Sequence, residues 1–398
     1  MAYIGRTPTG SILTSADIAD GSISTAKLED NAVTTAKITD NAVTAAKYVE
    51  YPAYRNLIIN GDMSIAQRGT SVSGKTADGY YTTDRWNHSI NLGTWSIDQS
   101  TDVPTGQGFA KSHKMTCTTG GSTSAGTQTY LHTRLEGQML QHIKKGTSNA
   151  ESLTLSFWGK SATTTGTMTV ELFDTDNSRQ ISKQISLTTS WTKYTITYDA
   201  DTTGTLTNDN GASLYVLFWV SAGSNFNSGT LSETWTSNTN ANRAVGQTNF
   251  AVTNTELYIT GVQLEVGTSA SDFEFLPYDV NLQRCQRYYE TSYDAVPAGT
   301  ASSSGSRRFN GSTDAGSNMV WGEKYAVTKR AAPTQTFYRD DQTNTTGWAF
   351  ASSGPSGTAS ANNWNFTIHQ ISAYFTFGSA HNWANGYVQG HWVADAEL

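Results

Sequence analysis

Leu153-Thr154-Leu155-Ser156-Phe157-Trp158-Gly159-Lys160 alternates large apolar side chains with Thr, Ser and a second aromatic. Successive side chains of an extended chain point to opposite faces, so Leu153, Leu155 and Phe157 share one face and predict a strand lying on a core. The same period of two returns at Met168, Val170 and Leu172, at Tyr194, Ile196 and Tyr198, and at Val262, Leu264 and Val266. Residues 214–220 are apolar or aromatic at every position, which suits a central strand. Polar turns such as Asp174-Thr-Asp-Asn177 and Asn208-Asp-Asn-Gly211 separate these runs, and many short strands joined by polar turns predict an antiparallel sandwich or jelly roll. One helix is expected, with Leu135, Met139, Leu140 and Ile143 on one face.

A boundary is expected near Pro277, where Asp279 can cap a short helix carrying Leu282, Cys285 and Tyr289. Beyond it the pattern predicts strands around 325–328, 334–338, 364–368 and 373–377, with Gly- and Ser-rich loops at 298–305 and 352–359. This distal block reads as a second, smaller sandwich.

Upstream of the first sandwich the chain repeats itself every ten residues. Asp20-Gly-Ser-Ile-Ser-Thr-Ala-Lys-Leu-Glu29 is followed by Asp30-Asn-Ala-Val-Thr-Thr-Ala-Lys-Ile-Thr39 and by Asp40-Asn-Ala-Val-Thr-Ala-Ala-Lys-Tyr-Val49. Large apolar residues stand at every fifth position: Leu13, Ile18, Ile23, Leu28, Val33, Ile38, Val43 and Tyr48. A step of five scatters around an α-helix and alternates faces on a strand, so neither element gathers them into one stripe. A compound unit fits better: a turn at Asp-Gly or Asp-Asn, two or three extended residues, then one helical turn capped by Ser or Thr. Two apolar side chains per ten residues cannot form a core within one chain, so copies of the repeat must cover one another. The fold class is therefore all-β: a fibrous shaft at 13–50 after a short segment at 1–12, a jelly roll at 51–278, a linker helix at 279–290 and a distal β-sandwich at 291–398.

Charged residues make up 15% of the 398, against roughly 25% in an average globular chain, so Ser, Thr, Asn and Gly carry the polar character. The net charge is −7 and the 26 Lys and Arg are spread along the chain, which leaves no basic footprint for nucleic acid. The apolar run at 214–220 is far shorter than the roughly 20 residues of a membrane helix, and residues 1–10 lack a charged start followed by an apolar run. No membrane insertion and no export signal are expected. Cys117 and Cys285 have neither disulfide-framework nor metal-ligand spacing and are expected to be buried thiols.

Asn56-Leu-Ile-Ile-Asn-Gly-Asp-Met-Ser-Ile-Ala-Gln-Arg-Gly69, Asp84-Arg-Trp86, the 153–160 strand and Ile259-Thr-Gly-Val-Gln-Leu-Glu-Val-Gly267 resemble the carbohydrate-binding-module-like jelly roll of bacteriophage tail fibres. Phe273-Glu-Phe-Leu-Pro277 and Gln283-Arg-Cys-Gln-Arg-Tyr-Tyr289 are similar to the usual exit from that domain. Lys329-Arg-Ala-Ala-Pro-Thr334 and Ala394-Asp-Ala-Glu-Leu398 resemble the distal module that often follows, and the repeat resembles a phage fibre shaft. The resemblance implies a virion protein, homotrimeric, held by its N-terminus to a tail adaptor or nozzle protein and contacting a host-surface glycan with its C-terminal domains. A structural fibre that projects some other receptor-binding tip is the alternative within virions. A secreted bacterial carbohydrate-binding adhesin is the alternative outside them.

Sugar recognition sets an aromatic ring against pyranose C–H groups and flanks it with amides or carboxylates. Tyr80, Tyr81, Trp86 and Trp95 cluster in loop-like sequence near Asp84 and Asn91, while Trp364, Tyr374, His381, Trp383, Tyr387, His391 and Trp392 crowd the last 35 residues. Tyr80, Trp86, Trp95, Trp364, Tyr374, Trp383 and Tyr387 are the candidate contacts, with core packing as the competing fate of each. Related jelly rolls often hold a structural calcium near the first strand, where Asp62 and Glu265 would supply hard oxygen ligands; turn chemistry accounts for Asn60-Gly61-Asp62 equally well. No other cofactor is expected. Glu171, Asp174 and Asp176 are close in sequence, but Asp174 and Asp176 fall on a turn, and no Gly-x-Ser-x-Gly or His-Glu-x-x-His is present. Binding without catalysis is the expectation.

If the pentad positions meet at an oligomer axis, Val33→Asp or Ile38→Asp buries an unpaired carboxylate there, which is strongly unfavourable. Sedimentation should then show the oligomer loosened or lost; unchanged oligomers would exclude this account of the shaft.

Overall fold

Leu155 pairs with Ile196 on one side and Leu264 on the other, all three pointing into a core between two antiparallel sheets. In the computed structural model the described residues are 54–398 without 295, 311–315, 344, 352–355, 364–366 and 382–386. The shaft positions Leu13, Ile18, Ile23, Leu28, Val33, Ile38, Val43 and Tyr48 lie outside them.

The first sandwich runs β1 (Ser71–Lys75), β2 (Gly79–Tyr80), β3 (Asn87–Ser89), β4 (Thr94–Ser100), β5 (Ser112–Thr119), β6 (Gln128–Glu136), β7 (Leu153–Ser161), β8 (Gly166–Asp174), β9 (Arg179–Leu187), β10 (Thr192–Tyr198), β11 (Ala212–Ala222), a short helix α1 (Ser224–Asn227), β12 (Thr236–Ser237) and β13 (Glu256–Val266). Six strands form one sheet in the order β1-β4-β5-β13-β7-β10, and seven form the other in the order β12-β9-β8-β11-β6-β3-β2. As expected from its apolar run, β11 is central, between β8 and β6. Leu214, Val216, Phe218 and Val220 enter the core, where Phe218 meets Phe157 edge-on at 5.0 Å and Trp86 at 6.1 Å. The intervening Tyr215, Leu217 and Trp219 point to the outer face, and the run is continuous because that face is also largely covered.

The helix expected over 135–143 does not form. Leu135 lies within β6, next to its last residue, and two 3-10 turns follow, Gly137–Met139 and Gln141–Ile143. The amides of Gly137 and Gln138 donate to Gly211 O at 3.1 Å and Asp209 O at 2.8 Å, which ties this stretch to the turn before β11. Gly137 lies so close to that turn that a Cβ would sit 2.0 Å from Thr207 O.

Helix α2 (Tyr278–Gln286) leads into the distal strands β14 (Tyr289–Thr291), β15 (Arg307–Asn310), β16 (Gly316–Lys324), β17 (Thr334–Tyr338), β18 (Trp348–Ala351), β19 (Ser356–Asn363), β20 (Gln370–His381) and β21 (Tyr387–Asp395). Pro277, not Asp279, occupies the N-cap position, and Asp279 lies in the first turn. Among the described residues the distal strands link through hydrogen bonds into an eight-stranded arrangement organised on β21, which pairs with β14, β15, β17 and β18. Trp348, Phe375, Phe337 and Trp392 fill its core, with Trp348 and Phe375 4.8 Å apart. The strand expected at 325–328 is a bend, because Ala326 N donates to the Glu290 carboxylate and Lys329 N to Ile368 O at 2.8 Å. Of the strand expected at 364–368, residues 367 and 368 are not extended. Cys117 and Cys285 are buried and unbridged.

The end of the chain is clasped between the two blocks. Glu397 pairs with Arg68 at 3.2 Å and with Arg85, both guanidinium groups being nearly or wholly enclosed. Arg68 stacks on Tyr289 at 3.6 Å and Arg85 on Tyr288 at 3.5 Å. Arg330 donates to Ala396 O at 2.7 Å and Glu397 O at 2.9 Å, while Arg134 donates to Leu398 O. Beside them burial pushes the Asp84 carboxyl up to about 6, with the Arg68 guanidinium opposing.

Inside the first core, His88 Nε2 and His113 Nε2 lie 2.9 Å apart, and Thr83 Oγ1 meets His113 Nδ1 at 2.7 Å. Burial lowers His88 to about 4 and His113 well below its usual value, so both rings are neutral in the fold. An unfolded His titrates near ~6.5, so acidification below that pH favours the unfolded chain, by about 3 kcal/mol for His88 near pH 4. Urea unfolding at pH 7 and pH 5 should give a lower midpoint at pH 5. The gap should shrink in the double variant His88→Gln/His113→Gln, and an undiminished gap would assign the acid sensitivity to other groups.

Candidate functional site

Directly opposed residues of antiparallel strands share a face, so the pairing register maps the outer face of the seven-stranded sheet. Phe173 of β8, Tyr215 of β11 and Arg134 of β6 form one row; Glu171, Leu217 and His132 form the next; Trp219 and Tyr130 form a third. The rings of Tyr215 and His132 lie parallel within 11° at 5.7 Å, Phe173 leans on Tyr215 at 6.5 Å, and Tyr130 touches both His132 and Trp219. Arg134 lies 4.8 Å above the Tyr215 ring and donates from Nε to His132 Nε2 at 3.1 Å. That bond requires His132 to accept, in keeping with burial and the Arg134 charge lowering it well below its ordinary value.

Within this face Glu171 is wholly buried. Its Oε1 accepts Arg243 Nε at 2.8 Å, and its Oε2 accepts Arg243 Nη2 at 3.1 Å and Trp219 Nε1 at 2.8 Å. Burial raises the Glu171 carboxyl, and the Arg243 charge pulls it back. Arg243 also stacks on Phe173 at 4.7 Å. One end of the face is covered by Phe226 and Ala244 over Trp219, the other by Leu398, whose carbonyl accepts from Arg134 and from Tyr80 at 3.2 Å. Between these ends Phe173 and Tyr215 are partly exposed. Two rings held by bonded neighbours, beside a guanidinium, can pack on the C–H face of a sugar.

The sequence-predicted contacts are dispersed. Trp86 and Trp95 are fully buried, and their indole N–H groups donate to Asn60 O at 3.1 Å and Leu92 O at 2.9 Å, so core packing takes both rings from the surface. Tyr80 is half-buried with Arg68 over its ring at 5.1 Å. Asp84 is enclosed, and Asn91 pins the turn before β6 through Gly126 O and Gln128 N. In the distal block Tyr374 is half-buried on β20, and Tyr387 on β21 carries Arg308 at 3.7 Å from its ring centre. Trp364 and Trp383 lie outside the described residues. His391 and Trp392 are buried.

One oxygen of Asp62 and both of Glu265 are engaged within the protein. Asp62 accepts from Ser64 Oγ and Asn281 Nδ2, both at 3.0 Å; Glu265 accepts from Ser271 N at 2.9 Å, Ser271 Oγ at 2.7 Å and Gln263 Nε2 at 2.9 Å. Among the described residues no group of three or more His, Cys, Asp or Glu side chains could hold a metal ion. Asn60-Gly61-Asp62 instead serves a turn: Asn60 has φ +59°, its side chain bridges Ile65 and Asp84 O, and a Cβ on Gly61 would meet Val262 O at 2.0 Å. Of the other acids, Asp174 is enclosed with Lys145 at 2.6 Å, and Asp176 accepts from Thr207 N at 2.9 Å.

No protein-family model and no curated protein matches the chain. Similar solved structures include the enzymatically active domain of bacteriophage CBA120 tailspike protein 4, 12% identical over 54% of this chain and 22% of that one, with a TM-score of 0.28. Another is the CBM22-1 xylan-binding domain of Paenibacillus barcinonensis Xyn10C, 14% identical over 52% of this chain and all of that one, TM-score 0.26. A third is the CBM22-1–CBM22-2 tandem from the same protein, 10% identical over 88% of this chain and all of that one, TM-score 0.27. The chain thus spans about a fifth of the tailspike structure it matches.

Removing one partner of a buried ion pair strands the other charge, so Arg243→Ala should destabilise the fold by about 3–5 kcal/mol. The double variant Glu171→Gln/Arg243→Met should recover part of that loss in urea unfolding. A double variant no better than Arg243→Ala would deny the pair its place within the aromatic face.

Proposed function

We propose that this chain is a receptor-binding fibre of a bacteriophage tail, trimeric through its repeat shaft and anchored by residues 1–12, that holds a host-surface glycan without cleaving it. The observation that carries the binding reading is the pair of partly exposed rings, Phe173 and Tyr215, fixed beside Arg134 and the Glu171–Arg243 pair on the same face. Rings already immobilised lose little freedom when a sugar packs on them. The order of motifs along the sequence, from repeat to jelly roll to distal block, supports the fibre reading. Binding without turnover is supported by the state of the acids: both Glu171 oxygens are bonded and Asp174 is closed off by Lys145. Hydrolysis of a glycoside needs two carboxyl groups flanking the bond in a cleft.

Full-length protein should co-sediment with surface polysaccharide from cells to which it adsorbs, and Tyr215→Ala should weaken that association by about tenfold with an unchanged melting temperature. No new reducing ends are expected on long incubation; their release, abolished by Glu171→Gln, would make the protein an enzyme. Antibody labelling of virions supports the fibre reading, and labelling of the bacterial surface alone supports the secreted adhesin.

A further inference from the structure

A groove of about 400 Å³ runs between residues 65–70 of the first sandwich, helix α2 and the segment that follows β14. Tyr278, Leu282 and Gln286, spaced by four, turn one helix face toward it, and Tyr278 is 64% exposed. Tyr293 and Asp294 line the opposite wall. Both walls are fixed. The Tyr293 ring stacks on His391 at 3.8 Å and 12°, and Gly69, at φ +104°, passes so near the far wall that a Cβ would meet Pro297 Cγ at 2.7 Å. On the floor, Gln67 is held by Asp84 through its amide N at 3.0 Å and its side chain at 2.5 Å.

Among the polar groups of the lining are a hydroxyl from Thr70, an amide from Gln286 and a carboxylate from exposed Asp294, which accepts a long 3.3 Å bond from Ser304 Oγ. Among the described residues the lining has that carboxylate and no Lys or Arg. Its volume is that of a small-molecule site, which spans roughly 300–1,000 Å³.

We propose that this junction groove is a glycan subsite separate from the aromatic face, taking a neutral, hydroxyl-rich pyranose and rejecting an acidic one. The inference rests on the glycan-binding reading above but places contact at a different surface. Tyr278 packs on the C–H face of the ring; the Asp294 carboxylate accepts from sugar hydroxyls, and the Gln286 amide both donates and accepts. A uronic or sialic acid would set its own carboxylate against Asp294 with no cation in the lining to compensate, and that repulsion supplies the selectivity.

The test is an array of neutral hexose and N-acetylhexosamine oligosaccharides beside uronic- and sialic-acid counterparts, probed with the full chain and its Tyr278→Ala, Asp294→Lys and Tyr215→Ala variants. Tyr278→Ala should bind the neutral sugars about tenfold more weakly with an unchanged melting temperature. Asp294→Lys should shift preference toward acidic sugars, a change that a structural role would not produce. Neutral binding untouched by Tyr278→Ala but abolished by Tyr215→Ala would overturn the groove and leave the glycan reading standing. Absence of binding by the unaltered chain would overturn both.

Discussion

The carboxylate of Glu397 is enclosed with the guanidinium groups of Arg68 and Arg85, in a place where water cannot take over from either. An ion so enclosed is stable only when all its partners are present together. Arg68 and Arg85 come from the first sandwich, Glu397 follows the last strand of the distal sheet, and the stacked Tyr288 and Tyr289 come from the exit of α2. Charge satisfaction therefore demands that two independently cored blocks dock in one geometry. The wall of the junction groove, the covered end of the aromatic face and the burial of Asp84 all follow from that docking.

Strands were legible wherever core-facing apolar residues alternate with polar ones, whether the polar face meets water, as on β10, or is covered, as on β7 and β13. β7, β10 and β13 alternate because each has an inner and an outer side, and their sequence says which is which. The outer aromatic face was not legible because Tyr215, Leu217 and Trp219 sit within an unbroken apolar run, and alternation disappears when both faces carry apolar side chains. The pairing of every second residue in 214–220 with β6 would have been needed to separate the two sets. The failed helix at 135–143 belongs to the same class, since its apolar spacing was sound while its amides were taken by a distant turn.

Trp86 and Trp95 show how local composition misleads. Both stand in polar, turn-rich sequence, yet each indole N–H finds a backbone carbonyl and the rings are free to fill the core. Tyr278 is the converse, an aromatic at the first position of a helix whose partners lie on either side of the junction. The signal available in the sequence was its spacing of four from Leu282 and Gln286, which places the three on one helical face. If the chain assembles into the proposed fibre, repetition of a shallow site on several chains would raise its effective strength through local concentration rather than through new contacts.

β21 is shared by four neighbours, and β14 joins it by pairing Tyr289 with Asp395 and Thr291 with Val393. During vectorial synthesis the ribosome therefore delivers nearly the whole distal block before the strand that organises it exists. Residues from 289 onward must wait, with Trp348 and Phe375 unshielded, until 387–395 have emerged. Contacts of such long sequence separation form slowly. A chain that lacks 387–395 leaves the distal strands without the partner that joins them, and their unpaired edges are open to other chains.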